Sequence, residues 1–568
     1  MQIHTNHIGY SIKSPKKAVI KTTVDTPLKP VKFEVIDKND GAVVLSGVSE
    51  NSGTVDKWKN WQFQTIDFSE VNKKGKYFIK AEGEISHDFE IKDKPVEETI
   101  SDIIYYFKSQ RCADRWDKKD KNLPVFNEDR TVDVHGGWYD ASGDVSKYLS
   151  HLSYANFMNP QHIQMVIWGM FKASADLNKK NTEQFFGTEK IASRLFDEAM
   201  YGSDFLVRMQ DPCGAFYMTV FDQWTADIDN RMICEYVGQD GRRFDTWQCA
   251  YRQGGGVSIA ALAVAAATGQ SRDYDSKKYL ETAIKGFDHL EENNLKYCND
   301  GKENIIDDYC ALMAATELYT AAKEQRFMDA AAKRAKNIIS RISSDENYSN
   351  FLFADNEGKR TFFHGADAGL PVVALLNFEK ISDNTELNKE ILDAVKKIMT
   401  FELEITKEVT NPFGYPRQYV TDAERNKRGS FFIAQKNETG YWWQGENARL
   451  GSLATAARYT ARKFDGEFAE QLETYAENCI NWLLGLNPYD TCMLQGRGHN
   501  NVVYEEGYPS APGGMCNGIT AGFVDEHDID LNPEEPKVAT TGDHRWRWGE
   551  QWIPHSGWYI LAVSAENN

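Results

Sequence analysis

The chain has 568 residues, of which 41% are hydrophobic, 12% aromatic and 26% charged. This composition is typical of a globular protein with a large apolar core, and it excludes a disordered chain or a fibrous repeat. The 65 Lys and Arg residues against 84 Asp and Glu residues give a formal net charge of −19. A chain this acidic repels phosphate backbones and anionic lipid heads, so we expect no nucleic-acid partner and no membrane-surface role.

Membrane and redox signals point to a cytoplasmic protein. No stretch approaches the ~20 uninterrupted apolar residues of a transmembrane helix, and the first residues lack the apolar segment of a secretory signal. The nine cysteines are odd in number, scattered and without CxxC pairs, which favours reduced, mostly buried thiols over disulfides or a zinc finger. These patterns leave the oligomeric state open.

Residues 1–93 carry short runs rich in β-branched and aromatic residues. Val31–Asp37 alternates apolar and polar residues, and Asn39-Asp40-Gly41 supplies the tight turn of a hairpin. Several short strands at this spacing predict a small β-sandwich of immunoglobulin type. The predicted strands are Lys17–Thr23, Val31–Asp37, Ala42–Leu45, Trp61–Phe68, Tyr77–Ala81 and Phe89–Ile91.

From residue 94 to 568 the apolar residues recur with helical spacing. Twelve helices are predicted, which fits six helical hairpins arranged as a toroid in a single domain. Ten of them lie near 96–112, 160–176, 254–268, 276–293, 305–323, 326–342, 366–378, 387–402, 443–460 and 551–565, and two follow Thr188 and Asp465.

Aromatic and polar residues are concentrated in the connections between the predicted helices. Examples are Gly136–Tyr148, Phe216–Trp224, Thr246–Gln253, Tyr441–Gln444 and Trp546–Trp558. Aromatic faces stack on the C–H faces of sugar rings, while carboxylates and amides bind sugar hydroxyls. Carbohydrate is therefore the favoured class of ligand.

Three carboxylates are candidates for acid–base chemistry. Asp140 and Asp144 lie four residues apart in a glycine-containing segment, so a turn in that segment would bring them together. Cleaving an acetal needs one carboxylic acid to protonate the leaving oxygen and one carboxylate to activate water or attack carbon. Glu550 stands between Trp548 and Trp552, and apolar surroundings raise the pKa of a carboxyl. Each of these acids is equally compatible with a helix cap or a solvated loop.

Motifs along nearly the whole chain resemble glycoside hydrolase family 9. The segment 136–144, GGWYDASGD, resembles the GGWYDAGDH motif of that family, and Glu550 occupies the place of its carboxy-terminal catalytic glutamate. Further similarities are Tyr106–Cys112 to the FxxQRCG segment, Gly485–Asp490 to the LGxNPxG stretch, and Asn6–Val19 to the start of the immunoglobulin-like domain that precedes many members.

The resemblance implies a fold and a mechanism. The expected fold is mainly α, an (α/α)6 barrel catalytic domain over 94–568 preceded by an immunoglobulin-like β-sandwich over 1–93. The expected reaction is glycoside hydrolysis with inversion: Asp144 acts as the general base that deprotonates water, Asp140 helps to hold that water, and Glu550 is the general acid. This chemistry needs no cofactor and no metal.

Departures from the family pattern narrow the expected substrate. Ser142 is inserted between the two aspartates, and the HHR segment of many cellulases is absent, which argues against cellulose. The run from Trp138 to Met158 resembles exo-β-D-glucosaminidases of chitin-degrading marine bacteria, which release glucosamine from the non-reducing ends of short chitosan oligosaccharides. A cellodextrinase or β-glucosidase of the same family is the alternative, and a non-catalytic carbohydrate-binding protein on the same toroid is a third.

Candidate substrate contacts follow from this expectation. A buried ammonium of glucosamine needs a carboxylate partner, and Asp367 and Glu446 are spare acids in predicted loops that serve equally well as structural groups. The other candidates for sugar contact are Trp138, Tyr139, Trp443, Arg497, His499 and Trp546.

Overall fold

The structure is a computed structural model that describes residues 1–180, 188–238, 240–440, 444–503, 507, 509–533 and 545–566. Its amino-terminal part consists of short strands in two sheets. These strands are β1 (Gln2–His4), β2 (Tyr10–Ser11), β3 (Lys17–Thr23), β4 (Lys32–Asp37), β5 (Val43–Val48), β6 (Glu50–Gly53), β7 (Trp61–Asp67), β8 (Gly75–Ala81), β9 (Glu84–Ile85) and β10 (Phe89–Lys92).

The two sheets have the strand orders β1-β3-β7-β6 and β2-β10-β8-β4-β5, with β9 paired to β8. Val35 and Ile79 pair across β4 and β8 and are fully buried, as expected for alternating strands that face a common core. Gly41 adopts φ +74° in the predicted hairpin turn. The six strands predicted from the sequence are present, whereas β1, β2, β6 and β9 are too short to show a period of two.

The remainder of the described chain is mainly helical. Its α-helices are α1 (Thr99–Ser109), α2 (Asp114–Asp120), α3 (Ile163–Lys180), α4 (Thr188–Arg208), α5 (Gly256–Ala267), α6 (Ser276–Tyr297), α7 (Ile305–Ala322), α8 (Gln325–Ser340), α9 (Leu370–Glu379), α10 (Thr385–Lys407), α11 (Asn447–Ala461), α12 (Glu467–Leu483), α13 (Trp546–Gly549) and α14 (Ile553–Ser564). Short two-stranded ribbons and one small sheet, Lys147–Tyr148 with 219–221, 232–237 and 242–244, lie in the connections.

Six helices form a closed inner ring. In order, α3, α5, α7, α9, α11 and α14 each pack on the next, and α14 packs back on α3. Helix α11 is buried at every position, and α14 is buried over its whole length, so neither presents a polar face to solvent. The two buried arginines of α11, Arg449 and Arg458, pair with Glu446 and Glu477. The six outer helices are α1, α4, α6, α8, α10 and α12, and each packs on an inner helix. The prediction of an (α/α)6 toroid is confirmed.

The ring places the predicted site segments together. Residues 136–148 precede α3, Glu446 precedes α11, and the segment from 517 to 550 precedes α14. Each of these segments leads from an outer helix into an inner one. Because inner and outer helices run in opposite directions, the segments meet at the end of the ring where the inner helices begin.

The β-sandwich docks directly on the helical domain. Trp58 is fully buried and packs against Phe431 and Trp482 of the helical domain, with ring centroids 4.7 and 6.1 Å away. The side-chain amide of Asn6 donates to Asn481 at 2.7 Å. Burial of a tryptophan of this size removes a large apolar surface from water and stabilises the contact between the two parts.

Candidate active site

The segment 136–148 folds back on itself and carries the two aspartates. The Asp144 amide donates to the carbonyl of Ala141 at 3.2 Å, and the Asp140 amide donates to the carbonyl of Ser146 at 3.1 Å. Gly143 adopts φ +84° in this turn, a conformation that favours glycine. The fold-back brings the two carboxylates close enough for their charges to interact, as the sequence spacing allowed.

The inserted Ser142 joins this segment to the one that carries Glu550. Its amide donates to the carbonyl of Gln551 at 2.9 Å, and its hydroxyl oxygen accepts the Gln551 amide at 2.8 Å. The serine therefore links the residue next to Glu550 to the loop of the two aspartates. Its insertion lengthens the loop without detaching it.

Asp144 is partly exposed and is held by two donors. The Ser146 amide donates to Oδ1 at 2.8 Å, and the Tyr148 hydroxyl donates to Oδ2 at 2.9 Å. Burial, followed by the negative charge of Asp140, raises the pKa of Asp144 to about 6. Its carboxylate is therefore ionised at neutral pH yet basic enough to accept a proton.

Glu550 is partly exposed and lies between α13 and α14. Nδ2 of Asn517 lies 3.3 Å from its Oε2, and the Asn517 amide donates to its carbonyl at 2.8 Å. Burial, followed by the charges of Asp144 and Asp140, raises the pKa of Glu550 well above its usual value. This shift favours the protonated carboxyl, which is the form that a general acid needs.

A chain of hydrogen bonds fixes the orientation of Asn517. The Ala448 amide donates to Nδ1 of His555 at 2.8 Å, so the ring proton of the neutral imidazole is on Nε2. That nitrogen lies 2.8 Å from Oδ1 of Asn517, which turns the Asn517 amine toward Glu550. Burial lowers the pKa of His555 to about 3, so the ring stays neutral and the arrangement does not change in the physiological pH range.

Asp140 differs from the other two carboxylates because it is almost fully buried, at 1% exposure. Its Oδ1 lies 2.5 Å from Nδ1 of His162, and its Oδ2 is 2.9 Å from both Nε2 of His151 and Nε1 of Trp552. Burial works to raise the pKa of Asp140, but the two histidines hold it below its usual range. Both oxygens of Asp140 already have protein partners, so its carboxylate holds the surrounding side chains in place and is less available to a substrate.

Two predicted ammonium partners are buried with internal partners. Asp367 is fully buried and accepts the Gln161 amide and Nε1 of Trp558, both at 2.8 Å. Glu446 is buried beside Arg449, whose Nε lies 2.5 Å from its Oε2. Both carboxylates are therefore engaged by protein donors, and contact of either one with a glucosamine ammonium stays a prediction.

The other predicted contacts are scattered. Trp138 is buried with Nε1 donating to Glu198 at 3.0 Å, and the Tyr139 hydroxyl accepts the amide of Ala113 at 3.2 Å. Arg497 pairs at 2.6 Å with Asp102 on α1.

His499 lies beside Asp490, with Nε2 at 3.2 Å from Oδ2. Trp546 is close to the site, because its carbonyl accepts Nδ2 of Asn517 at 2.8 Å. Trp443 lies outside the described residues.

The structure also adds residues that the sequence reasoning missed. Trp224 is 42% exposed and donates from Nε1 to the Tyr148 hydroxyl at 3.1 Å, which places an open aromatic face next to Asp144. His151 stacks on Tyr148 with centroids 3.8 Å apart. Trp224 belonged to an aromatic-rich connection in the sequence. His151 had no comparable signal.

None of the helices in the described part of the chain is long and apolar enough to cross a bilayer. All nine cysteines are free thiols, and eight of them are buried.

Comparison with known proteins agrees with this architecture. The sequence profile for glycosyl hydrolase family 9 matches residues 97–506, and the profile for the cellulase N-terminal Ig-like domain matches residues 1–86. The chain belongs to glycoside hydrolase family 9. The family assignment and the immunoglobulin-like sandwich predicted from the sequence are confirmed.

Individual family 9 relatives are glucan hydrolases. A cellodextrinase of Butyrivibrio fibrisolvens is 28% identical over 233 residues, which are 39% of this chain and 40% of the relative. A xyloglucan-specific endo-β-1,4-glucanase of Bacteroides ovatus is 24% identical over 403 residues, 62% of this chain and 63% of the relative. The matches thus span less than two thirds of either relative.

Solved structures share the whole fold. A metagenome-derived glycoside hydrolase family 9 endoglucanase superposes with a TM-score of 0.69 at 16% identity, covering 99% of this chain and 98% of the other. A family 9 protein of Bacteroides ovatus gives a TM-score of 0.67 at 18% identity, with the same coverage.

Proposed function

We propose that the protein hydrolyses short β-1,4-linked glucan oligosaccharides by inversion, as a cellodextrinase or β-glucosidase. The observation that carries the proposal is the meeting of Asp144 and Glu550, both partly exposed, each with a pKa raised by burial and by the other carboxylates. The pKa of about 6 leaves Asp144 ionised at neutral pH, and the raised pKa of Glu550 favours its protonated form, which is the pairing that acetal hydrolysis requires.

The mechanism follows from these two states. Glu550 donates its proton to the glycosidic oxygen as the bond from that oxygen to the anomeric carbon breaks. Asp144 accepts a proton from a water molecule, whose oxygen forms the new bond to the anomeric carbon from the opposite face. The reaction uses one water and leaves Asp144 protonated and Glu550 ionised, so a proton must pass through solvent before the next turnover.

Residues around the pair orient it. Tyr148 and the Ser146 amide hold both oxygens of Asp144, and Asn517 holds Glu550. Asp140 is proposed to fix the loop through its contacts with His151 and His162, in addition to helping to hold the water. The exposed ring of Trp224 supplies an apolar face on which a sugar ring can stack beside Asp144.

The substrate proposal rests on the relatives. The cellodextrinase and the xyloglucan-specific glucanase are named for glucans, and the two acids expected to bind the glucosamine ammonium are buried with internal partners. The exo-β-D-glucosaminidase alternative remains a second proposal, because the ionised carboxylates of Asp140 and Asp144 create a negative field that favours a cationic sugar.

A product time course separates these substrates. Cellobiose, glucosamine dimer and N-acetylglucosamine dimer are incubated with the protein and with its Asp144→Asn variant. We expect turnover of cellobiose and a loss of at least ~10²-fold in the variant. Turnover of the glucosamine dimer alone would replace the glucan substrate with the amino sugar. Turnover of none, with sugar binding intact, would leave a carbohydrate-binding protein.

The stereochemistry has its own test. The first product is observed by proton NMR before mutarotation, and inversion of a β-linkage gives the α-anomer. Appearance of the β-anomer first would assign Asp144 as a nucleophile instead of a base.

A cytoplasmic location is proposed from the free thiols. Eight buried cysteines without a disulfide fit a reducing compartment. Fractionation of native cells, with activity followed in each fraction, tests this location, and recovery of the activity outside the cytoplasm would contradict it.

A further inference from the structure

A cluster of histidines lies where the β-sandwich meets the helical domain. His4 and His7 come from the first residues of the sandwich, whereas Asp490 and His499 come from the segment after α12. The backbone amide of His7 donates to the carbonyl of Leu484 at 2.9 Å, which places this part of the sandwich against that segment. We call His4, His7, Asp490 and His499 the interface cluster.

The polar atoms of the interface cluster converge on Asp490. Nε2 of His7 lies 3.0 Å from Oδ1, Nε2 of His499 lies 3.2 Å from Oδ2, and Nδ1 of His4 lies 3.5 Å from Oδ1. Ligand atoms of His7, Asp490 and His499 all lie within 4.8 Å of one another. His4 lies outside this group of three and approaches it only through the contact of its Nδ1 with Asp490. Two imidazoles and one carboxylate, with a third imidazole beside them, are ligand types typical of Zn²⁺.

His4 is the observation that points to a ligand. It is 1% exposed, its Nε2 has no hydrogen-bond partner in the described part of the chain, and its Nδ1 has only the long 3.5 Å contact with Asp490, which does not form a hydrogen bond. A buried polar group left without a partner costs about 1–3 kcal/mol, and such groups are uncommon in native proteins. Since Nδ1 of His4 points at Asp490, a cation bound there would satisfy it.

The other histidine–carboxylate group in the described chain lacks this feature. Asp140, His151 and His162 also lie within ligand distance of one another. There, Nδ1 of His162 lies 2.5 Å from Asp140, and Nε2 of His162 accepts the His151 amide at 3.3 Å. Those nitrogens are already used, so the interface cluster is the better candidate.

We propose that the interface cluster binds one divalent transition-metal ion, with Zn²⁺ as the best fit, through His4, His7, His499 and Asp490. To bind the ion through Nε2, His7 must carry its ring proton on Nδ1. That proton replaces the long contact of 3.4 Å that Nδ1 accepts from the His499 amide. The His7 and His499 rings, stacked with centroids 3.4 Å apart, must open to place both lone pairs on the ion.

The segment that carries His499 can accommodate the separation of the two rings. His499 follows Gly496 and Gly498, both with positive φ, and its side chain is 25% exposed. The bound ion would join two ligands of the β-sandwich to two of the helical domain. Because the ligands come from both parts, binding would stabilise the contact between them and raise the unfolding temperature.

Zinc binding by the whole chain, free of any affinity tag, tests the proposal. The protein is stripped with a chelator and desalted, then titrated with ZnCl₂ in a calorimeter, with bound metal counted by elemental mass spectrometry. We expect one Zn²⁺ per chain. His499→Ala and Asp490→Ala should each weaken binding more than tenfold, whereas His527→Ala, which removes an exposed histidine elsewhere, should not.

Two further readouts keep the result decisive. Co²⁺ substitution should give the intense visible absorption of a tetrahedral N/O site, and the unfolding midpoint should rise with Zn²⁺ in the parent and in His527→Ala but not in His499→Ala. Less than half an equivalent of bound zinc, or equal binding by His499→Ala and His527→Ala, would overturn the proposal. Neither readout depends on hydrolytic activity, so failure of the proposed reaction would not affect it.

Discussion

The hydroxyl of Tyr148 donates a hydrogen bond of 2.9 Å to Oδ2 of Asp144, and it accepts one of 3.1 Å from Nε1 of Trp224. A single phenol thus connects the proposed base to the exposed aromatic ring beside it. Donation to the carboxylate favours the ionised form of Asp144. His151 and the Ser146 amide act in the same direction, against the rise in the pKa of Asp144 that burial and Asp140 produce.

Tyr148→Phe should shift the acidic side of the activity profile. Removal of the donor destabilises the ionised carboxylate, so the pKa of Asp144 should rise by about 1 unit and the acidic limb of kcat/KM should move with it. The measurement is kcat/KM on cellobiose from pH 4 to 9. Tyr217→Phe is the matched control, because that hydroxyl donates to Asp211 at 2.7 Å and not to the site. An unmoved acidic limb would show that Asp144 does not control it.

The parent protein should show a bell-shaped dependence of kcat/KM on pH. Asp144 must be ionised to accept a proton, so activity should fall tenfold per unit as the pH drops below about 6. Glu550 must be protonated, so activity should also fall as the pH rises above its pKa, which burial places well above the usual value. A profile that stays flat down to pH 4.5 would contradict the assignment of the base.

Asn517→Ala should move only the basic limb. The Asn517 amine favours the ionised form of Glu550, so its loss should raise the pKa of Glu550 further and shift the basic limb upward. The acidic limb should stay in place because Asn517 does not contact Asp144. We also expect kcat to fall by roughly tenfold, since the acid is less well oriented. A shift of the acidic limb would indicate a general structural change instead.

The loss of activity in Glu550→Gln should depend on the leaving group of the substrate. A natural oligosaccharide needs a proton on the departing oxygen, so the variant should lose at least ~10²-fold in kcat. In a dinitrophenyl β-glucoside the departing group is dinitrophenolate, a weak base that leaves without being protonated. Cleavage of this substrate should therefore be much less affected. Asp144→Asn serves as the comparison, because loss of the base should slow both substrates. Equal losses for both substrates in Glu550→Gln would remove its role as the acid.

The architecture was predictable from the sequence because each long helix shows its pattern of apolar residues over many positions. The outer helices carry clear helical periodicity. The inner ones are long runs of mostly apolar or small residues with few charges and recognisable ends, so the twelve long helices appear close to their predicted bounds. The three carboxylates were identified through motif order. Their convergence follows from the closed ring, which the helix count alone only suggests.

The surroundings of the carboxylates were less predictable. Asp367 and Glu446 precede inner helices, as the proposed acid does, yet their side chains point to Trp558 and Arg449. The direction of a side chain in an irregular loop depends on contacts that no local pattern encodes. His162 and Asn517 were missed for the same reason, because each acquires its role from partners 22 and 33 residues away.

Two helical glycines should respond oppositely to alanine. At Gly169, on α3, an added Cβ would meet the Gly557 carbonyl only at 3.8 Å, so Gly169→Ala should stabilise the protein by about 0.5–1 kcal/mol through the lower entropy of the unfolded chain. At Gly202, on α4, the Cβ would lie 2.4 Å from the Trp138 ring and 2.5 Å from Ile167. Since both neighbours are buried, Gly202→Ala should lower the unfolding midpoint. Thermal unfolding of the two variants checks this, and a destabilised Gly169→Ala would mean that the inner ring is packed more tightly than these distances indicate.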